Sequence, residues 1–170
     1  MDDDTASTDV TVWYRADLFG IPPGEEASYS QDWYVYAVSD LKAARAFAAL
    51  REDQEGTPRS VYRVRLIGEV ETDPDYRSFP EFVRCLSGIV QEVIEAHPTM
   101  SPDEATEYMC QTYNPPWPGG GGPMYDGDGY PTASPAMLGA GISANELRHV
   151  GKCKPPLIIG GYAEGLVNRA

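Results

Sequence analysis

Several side chains in the first half of the chain stand at the ends of predicted strands and have types suited to a common chemistry. Arg15 closes the first strand, Tyr36 lies just before a helix cap, and Glu69, Glu71 and Asp73 come where a third strand ends. A guanidinium can hold a phosphate or ribose in a fixed fork, and an aromatic ring can stack on a flat nicotinamide. A carboxylate can stabilise positive charge on a ribose whose glycosidic bond is breaking. Together they are suited to cleaving a nicotinamide glycosidic bond, whereas each residue taken singly is more typical of an ordinary surface group.

The elements that must position these groups follow from local patterns. β-Branched and aromatic residues predict strands at residues 10–14 and 33–38, and alternation of apolar with polar residues predicts a third at 60–70. Ser39 or Asp40 is expected to cap a helix that continues to about Glu52. The front half is therefore predicted to run strand, strand, helix, strand.

The second half is predicted to be more helical. Apolar residues at helical spacing favour a helix over residues 80–96, whose apolar stripe suits either core packing or a partner-binding face. Ser101 and Glu104 form a capping-box pattern that predicts another helix ending near Thr112. Residues 114–129 are a Pro/Gly-rich loop, and we expect short closing strands at 146–153 and 156–159.

Four segments resemble the ADP-ribosyltransferase superfamily. Residues 13–17 (Trp-Tyr-Arg-Ala-Asp) resemble the Tyr-Arg-Ala-Asp opening of its cholera-toxin-like branch, and residues 33–48 resemble its second motif with the following helix. Residues 61–75 are similar to the third-strand region of rifampin ADP-ribosyltransferases, in which the catalytic Asp precedes a Pro. Residues 142–153 resemble the late Ile-Pro to Val-Gly segment. The order and spacing of these motifs over residues 11–75 and 142–161 carry the resemblance.

The resemblance implies a site and a substrate. NAD would be bound by Tyr14, Arg15 and Tyr36, with Arg15 in the first motif and Tyr36 in the second. Asp73 would be the catalytic carboxylate by similarity to the rifampin branch, with Glu71 beside it. ADP-ribose would pass to a protein or small-molecule acceptor. No metal site is expected.

The chain departs from both branches at the site itself. The rifampin branch has His where this chain has Arg15, and the toxin branch has Ser where it has Tyr36. The toxin branch also carries a catalytic Glu at the position of Pro135, and Glu146 is a second candidate carboxylate that the alignment places too late. Three functions therefore stay open: an active transferase, an inactive module of the same fold that uses residues 80–112 and the acidic loop to bind a partner, and an NAD glycohydrolase.

The resemblance also implies the architecture. We expect an α+β fold with a split, strongly curved β-sheet of ADP-ribosyltransferase type, with the helix at 40–52 packed beside it. A disordered acidic tail at residues 1–9 would precede a single domain at 10–170, which carries a helical and Pro/Gly-rich insertion at 76–141.

Charge restricts the partners. The 170 residues include 26 acidic and 13 basic ones, for a net charge of -13, which argues against nucleic acid and anionic membranes as partners. The acidity is concentrated in residues 1–9 and 71–146, whereas the segments that resemble the NAD-binding core are close to neutral. An anionic dinucleotide is therefore not repelled, and the acidic insertion suits a basic protein partner.

The three cysteines and the hydropathy pattern bear on location. Cys85, Cys110 and Cys153 are odd in number and include no C-x-x-C pair, so neither a disulfide framework nor a zinc ribbon is expected. No apolar run reaches the length of about 18 residues that a membrane span needs, and the amino terminus is acidic where a secretory signal is basic. We expect a soluble, cytoplasmic protein of a reducing compartment.

Overall fold

Two strands rich in β-branched and aromatic residues, β1 (Trp13–Leu18) and β3 (Arg59–Ile67), pair at the centre of an antiparallel sheet. The computed structural model describes residues 10–114, 116–117 and 122–153. Within them the sheet has six strands, ordered β4 (Glu71–Thr72), β5 (Phe82–Cys85), β2 (Val35–Val38), β1, β3 and β6 (Ser87–Glu95). The predicted α+β class is confirmed.

The pairing between β1 and β2 is much shorter than the other central ladder. Six consecutive residue pairs join β1 to β3, whereas in the described sheet β1 and β2 register only through Tyr14 and Val38. Backbone groups beyond that pair need other partners, because unpaired buried N–H and C=O groups are costly. A side chain of β1 supplies one of them.

One helix packs on a face of the sheet, and a second packs against that helix. In α1 (Leu41–Glu55), the Asp40 side chain accepts the Lys42 N–H at the start, and Gly56 ends the helix in the left-handed region with φ of 71°. Five buried alanines let this helix approach the strands closely, and Phe47 fills the space between them. The predicted helix at 40–52 is confirmed and extends to Glu55.

The second helix, α2 (Pro102–Thr112), begins with the predicted capping box. The Ser101 hydroxyl accepts the Glu104 N–H, and the Glu104 carboxylate accepts the Ser101 N–H. Ala105 and Met109 join the core that α1 forms with the sheet. The prediction of this helix and of its end near Thr112 is confirmed.

The helix predicted over residues 80–96 is wrong. This segment forms β5 and β6, joined at Leu86, which is 65% exposed. Its Val and Ile residues are β-branched and favour strands, and β6 gains a full ladder with β3 that a helix would forfeit. The expected insertion at 76–141 therefore contains two strands of the main sheet.

The carboxyl-terminal strands also need correction. Residues 146–153, predicted as a strand, contain the end of α4 (Ala144–Leu147) and a 3₁₀ turn (Arg148–Val150), which follow α3 (Pro135–Gly139). The strand predicted at 156–159 and the tail at 1–9 lie outside the described residues. No helix in the described part of the chain is long and apolar enough to cross a membrane.

A disulfide joins Cys110 of α2 to Cys153, although the sequence predicts no disulfide framework. The sequence does not indicate this pair, because Cys110 and Cys153 are 43 positions apart in a chain with three cysteines. Only the fold brings their Cα atoms to 5.4 Å. Cys85 is the free cysteine among the described residues, and it is buried. Disulfides persist in oxidising environments, so the argument for a reducing compartment no longer holds.

Candidate functional site

Arg15 lies where β1 and β2 separate, and its side chain joins the two strands. Only 3% of the residue is exposed. Nη1 donates to the main-chain oxygen of Tyr36 at 2.7 Å, Nη2 to that of Ser28 at 2.8 Å, and Nε to the Asp17 carboxylate at 3.0 Å. These bonds use three of the five N–H donors of a guanidinium. The fork is therefore held rigidly and keeps donors for a further acceptor.

Asp17 fixes the position of Arg15. Its carboxylate also accepts the N–H groups of Leu18 at 2.7 Å and Ser28 at 2.9 Å. Burial alone would raise the pKa of Asp17, but the charge of Arg15 and the two N–H donors outweigh it and hold the pKa below its ordinary value. The carboxylate is thus a buried, ionised partner.

A row of polar residues runs across β2, β5 and β4. Tyr36 stands opposite Arg84, and Arg84 stands opposite Glu71. Arg84 pairs with Glu71, with Nη2 3.2 Å from Oε1, and its guanidinium lies 4.0 Å from the centroid of the Tyr34 ring. The register therefore brings a phenol, a guanidinium and a carboxylate together, of which the sequence predicted Tyr36 and Glu71.

Tyr36 itself is a hydrogen-bonding residue in this structure. Its ring is 1% exposed, and its hydroxyl donates to the Asp32 carboxylate. A hydrogen bond with Tyr36 is the largest cause of a raised pKa for Arg84. The more accessible aromatic ring beside the row is that of Tyr34, which the sequence did not single out as a site residue.

Asp73 lies outside this row, beside Phe82, which is two residues before Arg84 on β5. It is 1% exposed, and its side chain caps the 3₁₀ turn Pro74–Tyr76 by accepting the Asp75 N–H at 2.9 Å. Its own N–H donates to Phe82, which stands opposite Val38 rather than Tyr36. Of the two predicted carboxylates, the register therefore aligns Glu71 with Tyr36.

The remaining predicted residues lie elsewhere. Successive strand side chains alternate between faces, so Tyr14 points to the face opposite Arg15, where it packs against the α1 core. Pro135 begins α3 and Glu146 lies in α4. Both belong to the carboxyl-terminal part of the chain, which packs around Trp117.

A cavity of about 200 Å³ opens beside Arg15. Arg51 from α1 and Arg59 from β3 line it together with Arg15, and the segment around Ser28 closes one side. Of these three arginines, the sequence singled out Arg15 alone. Arg51 and Arg59 flank the Gly56 turn in the sequence, but arginines beside a turn are common and do not indicate a site.

The described residues contain no group of three or more His, Cys, Asp or Glu side chains that could hold a metal ion. What they do contain is a buried cation in a strand split, a cationic cavity and a carboxylate–phenol row. Because Val38 stands opposite Tyr14 and Tyr36 is two residues before Val38, alternation places the row on the face of Tyr14, opposite that of Arg15. Arg15 meets the row through the main-chain oxygen of Tyr36. The cavity can bind an anion, and the carboxylate of the row can stabilise positive charge.

Comparison with known proteins gives no family for this chain. A scan against protein-family models finds no match, and a search among curated proteins finds none either. Function must therefore be argued from the geometry and from the motifs in the sequence.

Proposed function

We propose that this chain is an NAD-dependent mono-ADP-ribosyltransferase that transfers ADP-ribose to a protein or small-molecule acceptor. The observation that carries the proposal is the placement of Arg15 in the split between β1 and β2, bonded to the main chain of Tyr36. The two residues that the motifs single out thus meet at one point although 21 positions separate them.

The charges around this point suit a dinucleotide. Arg15 borders a cavity with Arg51 and Arg59, so a diphosphate would meet cations there. Glu71 lies in β4 and Asp73 directly follows it, and β5 separates β4 from β2 on the Tyr36 side of the split. A nucleotide with a cationic leaving group requires an anion-binding end and an anionic end, and here the substrate would span the split between them.

In the proposed reaction the chain's residues act on charge rather than by forming a covalent bond. A carboxylate, Glu71 or Asp73, stabilises the positive charge on the ribose while the bonding electron pair leaves with nicotinamide. Arg84 holds Glu71 by its ion pair, and Arg15 orients the anionic part of the substrate. The acceptor then bonds to the same ribose carbon and releases its proton.

The test is incubation of the protein with NAD labelled in the ADP-ribose part, with nicotinamide release measured by chromatography and transfer measured in lysate. Glu71→Gln and Asp73→Asn remove one negative charge each, and Glu69→Gln is the matched control because Glu69 is exposed in the same segment. We expect Glu69→Gln to keep the wild-type rate and at least one of the other two to lose about 100-fold.

The other outcomes decide between the alternatives. Nicotinamide release without labelled acceptor identifies a glycohydrolase, in which water replaces the acceptor. No heat and no thermal stabilisation at millimolar NAD would reject the enzyme and favour a binding module of the same fold. Equal labelling by all four proteins would refute the role of both carboxylates.

A further inference from the structure

Three guanidinium groups meet at the cavity beside the strand split, each from a different element. Arg15 comes from β1, Arg51 from the last part of α1 and Arg59 from the first residue of β3. Arg59 is only 6% exposed, and Arg51 is largely buried. Their side chains are therefore fixed by the fold.

Carboxylates surround these cations, but only one of them belongs to a residue that lines the cavity. Asp17 is engaged by Arg15. Arg51 and Arg59 share the carboxylate of Glu55, through an Arg51 Nη2 to Oε2 distance of 3.1 Å and a close contact of Arg59 Nη2 with Oε1. Glu52 is also near, since its carboxylate accepts the main-chain N–H of Arg59 at 2.9 Å. Of these three acidic residues only Asp17 lines the cavity, so the lining carries three positive charges and one negative charge. Burial, followed by the charge of Arg59, lowers the pKa of Arg51, as expected for crowded cations.

The donors that can reach a ligand are N–H groups of the guanidinium groups that line the cavity. A guanidinium has five N–H donors, and the bonds to protein acceptors use three in Arg15 and one each in Arg51 and Arg59. In the described part of the chain, Nε of Arg51, Arg59 and Arg63 is buried without a hydrogen-bond partner, but these atoms are closed to solvent and Arg63 does not line the cavity, so they do not mark the site. The Nη donors that remain on the three lining arginines are left for an anion.

We propose that this cavity binds a phosphate or diphosphate group, held by the guanidinium groups of Arg15, Arg51 and Arg59. Arginine forks match the several oxygens of a phosphate, and a net positive pocket favours a multiply charged anion over a neutral ligand. The cavity of about 200 Å³ is far larger than the roughly 10–15 Å³ that one water molecule needs on the same measure, so it has room for a polyatomic anion. The proposal does not depend on NAD cleavage, although the diphosphate of a dinucleotide is one source of this chemistry.

The experiment is a calorimetric titration of the full chain with inorganic pyrophosphate, followed by the same titration after saturation with NAD. Arg51→Gln and Arg59→Gln remove the proposed ligands. Arg45→Gln and Arg63→Gln are matched controls on the same helix and strand, since those residues pair with Glu95 and Glu92 instead. We expect saturable binding that weakens at least tenfold in the first two variants and stays within twofold in the controls.

Several results decide the matter. Absence of saturable pyrophosphate binding by the wild-type protein overturns the proposal, and this measurement needs no variant to fold. An equal loss in the controls also overturns it, because general charge would then explain the binding. If NAD competes with pyrophosphate, the site exists and its phosphate groups come from a dinucleotide. If pyrophosphate binds without competition from NAD, the site exists and its ligand is free phosphate or diphosphate. An inactive chain that binds pyrophosphate would refute the proposed function and leave this site standing.

Discussion

The Nη1 atom of Arg15 donates a hydrogen bond of 2.7 Å to the main-chain oxygen of Tyr36, across the point where β1 and β2 cease to pair. The side chain of one strand thus replaces a missing backbone donor for its neighbour. The same guanidinium borders the cavity that contains Arg51 and Arg59. Arg15 therefore contributes both to the sheet and to the candidate site, and its replacement is expected to affect both.

Arg15→Lys is expected to destabilise the fold although it keeps the charge. An ammonium presents its three donors on one atom, so it cannot reach Asp17, Tyr36 and Ser28 together as the fork does. Loss of a hydrogen bond to a charged group costs about 1.5–3 kcal/mol. We expect a loss of about 2 kcal/mol in the free energy of unfolding, measured by urea denaturation.

Arg65→Lys is the matched control for that measurement, because Arg65 is exposed on β3. Its free energy of unfolding should stay within about 0.5 kcal/mol of the wild type. If Arg15→Lys were as stable as Arg65→Lys, the fork would not be what joins the strands.

Asp17→Asn should make the free energy of unfolding less dependent on pH in the acid range. The pKa of Asp17 lies below its ordinary value of 3.8 in the folded state, so its contribution is present above that value and is lost as pH falls through the folded pKa. Loss of one member of a buried ion pair costs about 3–5 kcal/mol. We expect that difference from wild type at pH 7 and a narrowing gap below about pH 4, by urea denaturation across pH.

Asp53→Asn serves as the control for this series, since Asp53 is an exposed residue of α1. It changes the net charge by the same amount without touching Arg15. A gap between Asp17→Asn and wild type that stayed constant down to pH 3 would contradict the linkage.

Reduction of the Cys110–Cys153 disulfide should destabilise the carboxyl-terminal part of the chain. The bond closes a long loop, with 43 positions between the cysteines, and restricts the unfolded chain, which is worth about 2–4 kcal/mol. Trp117 is buried in the same cluster, so its fluorescence, isolated by Trp13→Phe and Trp33→Phe, reports the change during denaturation with and without reductant.

Cys153→Ser should reproduce the effect of reductant and should itself be insensitive to it. Cys85 stays in both proteins as an internal control for reactions at a free thiol. Identical unfolding curves for oxidised and reduced wild type would show that the bond does not stabilise the fold.

Local signals in the sequence predicted the two helices that have capping residues at their ends. Asp40 and Gly56 bound α1, and Ser101 with Glu104 starts α2, because capping groups within a few residues satisfy the free backbone donors and acceptors of a helix. Residues 80–96 carry no such cap, and their apolar residues fit a helical period and a strand equally well. Whether these residues form a helix or strands depends on β3, which lies about 25 positions earlier and supplies the partner strand for β6.

By itself the sequence determined the α+β class and two capped helices, and it offered Arg15, Tyr36 and a pair of carboxylates as candidate site residues. Only the tertiary structure decided which of them meet. The register of β2, β5 and β4 aligned Glu71 with Tyr36 and left Asp73 outside that row. The packing of α1 and β3 brought Arg51 and Arg59 to Arg15. Residue type is local information, whereas proximity depends on pairing and burial among segments far apart in the chain.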